Sequence, residues 1–120
     1  MTTFKTLNIL ILLFVLFIPV KAQTKIQSGS WSVNQSVYGF SLDKNNGERS
    51  ATIEIRFEKP FISKPQIFLT ATQVDASKEA NLRYNVEAIS ISRDGFTIKV
   101  NTWADSKIFS MSGCWLAKSE

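Results

Sequence analysis

Residues 50–58 alternate strictly between apolar and polar. Ala51, Ile53, Ile55 and Phe57 fall on one side; Thr52, Glu54, Arg56 and Glu58 fall on the other. A period of two is that of a β-strand with one buried face and one wet face. The pattern recurs in residues 96–103, where Phe96, Ile98, Val100 and Thr102 face in and Thr97, Lys99, Asn101 and Trp103 face out. Residues 25–34 alternate more loosely around Ile26, Trp31 and Val33, with a break at Gly29. Residues 66–74 are rich in β-branched and aromatic side chains and read as a strand buried on both faces at its start. Residues 83–92 read as a further strand whose alternation slips at Ala88-Ile89, as a bulge would make it. Residues 108–118 close the series, with Phe109, Met111 and Trp115 on one face and Cys114 and Leu116 on the other.

The connections are of turn and loop type. Residues 35–49 are polar and too long for a simple hairpin, and Asn46-Gly47 within them is a strong turn signal. Pro60 and Pro65 stop any strand ladder between them. Residues 75–82 are polar and leave room for one helical turn. Arg93-Asp94-Gly95 reads as a tight turn with glycine where φ is positive. Six strands with no sustained helical period predict an all-β fold, a six-stranded antiparallel β-sandwich. Its edge strands would be open, so self-association or covered edges are expected.

The first residues stand apart from this pattern. Lys5 precedes an unbroken apolar run of ten residues from Ile9 to Ile18, and Val20 and Ala22 give small residues at a cleavage point. That is the plan of a secretory signal peptide over residues 1–22, and ten apolar residues fall short of the about 20 that span a bilayer. The expectation is a secreted protein cleaved after Ala22, with one domain at 23–120 and no membrane span in the mature form. Taking 22 residues from 120 leaves 98, enough for one modest core. Without Lys5 and Lys21 the net charge falls from +4 to +2, and the remaining cations are scattered. Nucleic-acid binding shows a clustered basic face instead. Cys114 is the single cysteine and has no internal partner; its strand favours a buried, inert thiol over an intermolecular bridge.

With no histidine, the chain has no histidine base, triad or histidine-ligated metal. The ten carboxylates are dispersed over strands and turns, and no phosphate loop, nucleophile elbow or metal-ligand cluster is present. The reading is therefore of a non-enzyme with no catalytic residue, cofactor or metal. A binding module fits better. A sugar site pairs an aromatic ring with fixed donors and acceptors, which Trp103, Arg83 and nearby Asp or Asn side chains can supply. Each has a plainer reading: Trp103 packs at a subunit seam, Arg83 forms a surface ion pair, and Phe109 joins the core beside Met111 and Trp115. Asn34-Gln35-Ser36 fits an N-glycosylation acceptor.

A family resemblance sharpens this. Ile26-Gln27-Ser28-Gly29, Ile55-Arg56-Phe57 with Pro60-Phe61, Thr72-Gln73-Val74-Asp75, Asn81-Leu82-Arg83, Asp94-Gly95-Phe96, and Thr102-Trp103 through Ser110-Met111-Ser112 to Trp115 occur in order. This series resembles the H-type lectin domains, the family of snail agglutinins and the discoidin C-terminal domain. The resemblance implies a β-sandwich that forms a homotrimer and binds galactose or N-acetylgalactosamine glycans without Ca²⁺. It implies sugar-binding roles for Arg83 and Trp103, with Asn46 (or Asp43) from the preceding loop and Phe109 on the last strand. The sequence departs where the family often has histidine (Ala104), tyrosine (Phe109) and aspartate (Asn46). These losses of polar groups imply altered specificity, or a trimeric structural or adhesion module that has lost sugar binding.

Overall fold

A computed structural model describes residues 25–120. The segment read as a signal peptide lies outside the described residues. Six strands follow one another: β1 (Ile26–Asn34), β2 (Arg49–Arg56), β3 (Gln66–Ala76), β4 (Asn85–Ile89), β5 (Gly95–Thr102) and β6 (Ile108–Lys118). They form two three-stranded antiparallel sheets, ordered β1-β6-β3 and β2-β5-β4. No helix occurs among the described residues; residues 78–79, in the segment with room for one helical turn, form a simple turn.

The core lies between the two sheets and follows the alternation. Phe96, Ile98, Val100 and Thr102 of β5 are all buried, and the residues between them are half-buried. Facing them are Trp31 and Val33 of β1 and Met111, Trp115 and Ala117 of β6. At the end where β5 starts, Phe57, Phe61, Phe96 and Trp115 form an aromatic plug, with ring centroids 4.9 Å apart for Phe57–Phe61 and 5.5 Å for Phe96–Trp115. Edge-to-face pairs at this spacing add to the burial energy of the rings. The opposite end, where β5 stops at Thr102, has no such plug. It is closed by Phe40 and Leu42 from the loop after β1 and by buried polar groups.

Several local expectations differ from what the fold adopts. Gly95 is not in the left-handed region; those glycines are Gly39 and Gly47. Gly95 is needed for space, because a Cβ there would lie 2.2 Å from the Ile55 carbonyl oxygen. β4 pairs with β5 without a bulge, and the chain leaves the ladder at Ser90, whose φ is 52°. Arg83 therefore precedes β4 rather than lying in it. β3 is not buried on both faces, since Phe68 is 54% exposed. The irregularities are instead in the β3–β6 ladder, between Ala71 and Gln73 and between Asp75 and Ala76. The second resets the parity of β6, so that Ile108 is buried and Phe109 is only half-buried and outside the core cluster. Cys114 is exposed rather than buried, because Gly113, Trp115 and Ala117 take the inward positions.

Candidate functional site

The turn at residues 103–107 joins β5 to β6 at the unplugged end of the sandwich. Its geometry begins with strand parity: Thr102 points in, so Trp103 points out and is 41% exposed. Ala104 then adopts φ 55°, a left-handed conformation that costs a non-glycine residue about 1 kcal/mol. Tertiary hydrogen bonds hold it there. The Ala104 carbonyl accepts from Gly47 N (2.9 Å) and from Arg49 Nη2 (3.0 Å). Ser106 turns inward and is fully buried.

Two segments dock on this turn. The first is the loop at residues 42–47, where Asn45 (φ 61°) and Gly47 (φ 85°) make the reversal that Asn46-Gly47 foretells. Arg49, buried at the start of β2, ties this loop to the turn. Its guanidinium donates to the carbonyls of Gly47, Leu42, Lys44, Ser106 and Ala104 at 2.9 to 3.3 Å. From the turn side, Lys107 Nζ donates to Asn45 O (2.6 Å) and to Asn46 Oδ1 (2.8 Å). An ammonium only donates, so Asn46 must offer it the carbonyl oxygen and keep its NH₂ for other partners.

The second segment is the stretch before β4. Arg83 N donates to Ser106 Oγ (3.0 Å), Ser106 Oγ donates to Asn81 O, and Thr102 Oγ1 donates to Arg83 O. The Arg83 backbone is thus held on both sides. Its Nη1 donates to Asp105 Oδ1 (2.7 Å) and Ser106 Oγ (3.3 Å). Asp105 is 61% exposed and Arg83 29%. The hydrogen bond from Arg83 lowers the Asp105 pKa below the usual carboxylate range. The contribution of the pair is therefore complete above that range and is lost as pH falls through the lowered value and Asp105 takes up a proton.

Of the five residues expected at a binding site, Arg83, Trp103 and Asn46 are joined through this one turn within a single chain. Asp43 is engaged elsewhere. Its Oδ2 accepts from Gln35 Nε2 (2.8 Å), and its buried Oδ1 has no hydrogen-bond partner. Phe109 stands half-buried at the irregular start of β6. Sequence reasoning missed Arg49 as a site residue, although counting back by two from Ile55, Ile53 and Ala51 puts it on the inward face. It also gave no role to Asp105, Ser106 and Lys107. A surface hollow lies at the other end of β5, lined by Glu54, Arg56, Ser92, Asp94 and Thr97. It has no exposed ring, since Phe96 beside it is 3% exposed. Among the described residues, the 103–107 turn alone combines an exposed indole with a guanidinium, an amide and a carboxylate.

An exposed ring beside polar groups on the rim of an antiparallel sandwich is the arrangement of a sugar-binding module. The chain belongs to the H-type lectin domain family, whose family model matches residues 52–118. It is 31% identical over 79 residues to the protein called ATP synthase subunits region ORF 7 of Fuscovulum blasticum, covering 66% of this chain and 69% of that one. It is 25% identical over 96 residues to a discoidin-1 polypeptide of Dictyostelium discoideum, covering 77% of this chain and 38% of the relative. Its fold is similar to that of discoidin II from the same organism, with a TM-score of 0.67 at 21% identity over 85% of this chain and 40% of the other. The chain thus spans about two fifths of the discoidins it matches. The family and fold are those of a carbohydrate-binding lectin.

Proposed function

We propose that the protein is a secreted lectin that binds galactose or N-acetylgalactosamine-type glycans at the 103–107 turn, with a specificity altered from that of its relatives. The observation that carries this reading is the attachment of Arg83 and Asn46 to the turn that exposes Trp103. The indole offers a flat apolar surface for the C–H face of a pyranose. Arg83 offers a fixed donor fork, and Asn46 an amide donor. Affinity per site is weak, because the surface is shallow and Ala104 and Phe109 bring no polar group. Avidity from several copies compensates.

The proposed assembly is a homotrimer through the outer face of the β1-β6-β3 sheet. Support comes from the exposed apolar side chains there: Ile26, Phe68 and Leu116 are 53%, 54% and 37% exposed, with Cys114 among them. Apolar patches of this kind mark interaction surfaces. Leu116→Lys is expected to convert the assembly to monomers, measured by light scattering, without unfolding the sandwich.

A glycan array and galactose-type resins test the reading, using the secreted form. Wild type is expected to be retained, and Trp103→Ala to abolish retention while leaving the mass in solution unchanged. If wild type binds no glycan and Trp103→Ala disrupts assembly, the protein is instead a trimeric structural or adhesion module.

A further inference from the structure

We propose that Asp105 is the hydroxyl acceptor of this site and its specificity-determining residue. The inference rests on the lectin reading and names the group that selects the sugar.

Sugar hydroxyls both donate and accept, so a discriminating site needs donors and at least one acceptor in fixed positions. The one carboxylate of the 42–47 loop, Asp43, is turned away from the turn. The Asn46 carbonyl is engaged by Lys107 Nζ at 2.8 Å, leaving its NH₂ as the group it can offer a ligand. One oxygen of Asp43 is held by Gln35 and the other is buried. Asp105 is the carboxylate bonded into the cluster, and at 61% exposure it keeps acceptor capacity on its solvent side.

An exposed ion pair is ordinarily a weak and mobile contact. This one is braced on both sides. The Arg83 main chain is held by Ser106 and Thr102, and the Asp105 carbonyl accepts from Lys107 Nζ at 3.2 Å. The guanidinium spends Nη1 on the protein, while Nε and Nη2 donate to no acceptor among the described residues. Arg83 and Asp105 therefore present a donor edge and an acceptor oxygen side by side, two residues along the chain from the exposed indole. Two neighbouring hydroxyls of one pyranose match that pair, the first accepting from Arg83 and the second donating to Asp105. The ligand class is a neutral sugar with a vicinal diol. A carboxylated or sulfated sugar would set its charge against Asp105.

Asp105→Asn separates an acceptor from a mere brace. Asparagine can still accept from Arg83 through its carbonyl oxygen, but it turns an NH₂ to the ligand. Galactose-type resin retention and inhibition by free neutral sugars provide the readout, beside melting temperature and mass in solution. The expected result is a loss of about tenfold or more in affinity, as for a lost bond to a charged group, with mass unchanged and melting temperature lowered by no more than the small contribution of one exposed ion pair. Relative binding to acidic glycans on the array should rise. Arg83 and Lys107 are the charged groups acting on Asp105, so wild-type retention should persist below the usual carboxylate range and vanish on stronger acidification. Residual binding by the variant should lack that acid limb. Wild-type binding that survives Asp105→Asn unchanged overturns the role of Asp105 alone. A wild type that binds no glycan overturns the lectin reading and this inference with it.

Discussion

Arg49→Ala will lower the stability of the sandwich by about 3 kcal/mol or more, because hydrogen bonds from a charged donor contribute about 1.5–3 kcal/mol each and several are lost together. The guanidinium satisfies five carbonyls drawn from the 42–47 loop and the 103–107 turn. At a site that is 8% exposed, alanine takes the donor from the Gly47, Lys44 and Ser106 oxygens, while Ala104 O keeps Gly47 N–H and Leu42 O keeps Ile108 N–H. Each orphaned buried acceptor costs about 1–3 kcal/mol, offset in part because water can enter the space the side chain vacates. Arg49→Lys should recover only a minority of the loss, since one ammonium has three donors and no planar fork. Urea unfolding followed by tryptophan fluorescence measures both variants. Glycan binding should fall with them, because the same bonds set the left-handed Ala104 and hence the position of Trp103. A shift of less than about 1 kcal/mol would mean that water replaces the guanidinium at little cost.

The large apolar pattern is legible in the sequence, and its exceptions are instructive. The parity of β5 correctly puts Phe96, Ile98, Val100 and Thr102 inside and Trp103 outside, because a flat strand between two neighbours leaves no freedom in the assignment. Parity fails for Phe109, whereas for Cys114 it gives the correct face and only the burial of that face was misread. The irregularity that resets β6 lies in its pairing with β3, opposite Asp75 and Ala76 and far off in the sequence, and no local signal marks it. Gly95 reads as obligatory but for the wrong reason: a close approach to Ile55 from another strand looks, in sequence, like any turn glycine. At the site, Trp103 and Arg83 stand out through their side-chain chemistry and the family resemblance. Arg49 does not, because an arginine at the end of a polar loop reads as solvated, and only the folded loop shows its five carbonyls turned inward. Asn46 and Asp43 cannot be ranked from sequence. The choice depends on which of them meets Lys107 and which meets Gln35, a matter of loop path.

Gly113→Ala is the second substitution with a large expected effect, and it acts away from the proposed sugar site. Gly113 is an inward-facing residue of β6, opposite Trp31 on one side and Ala71 on the other. The bulge between Ala71 and Gln73 lies beside it. Next to that bulge the Thr70 hydroxyl, on the outer face, receives Cys114 N–H (3.2 Å), while the Thr70 carbonyl accepts from the Trp31 indole Nε1 (3.1 Å). That carbonyl occupies the space a side chain at 113 would need: a Cβ there would sit 1.8 Å from Thr70 O and 2.9 Å from the Trp31 ring. Backbone cannot move aside as a flexible side chain can, so the methyl group must push β3 from β6 and break the indole hydrogen bond. Overpacking of a core costs about 1–3 kcal/mol, and a backbone clash with a lost buried hydrogen bond places this case at the upper end. At about 4–8 °C per kcal/mol for a domain of this size, the melting temperature should fall by roughly 15 °C. Gly39→Ala is the control: its Cβ meets nothing within 4 Å and only the φ of +79° opposes it, so the loss should be about 1 kcal/mol. Equal losses for the two glycines would show that the β3–β6 pair yields, and that the Thr70 carbonyl is not fixed by Trp31.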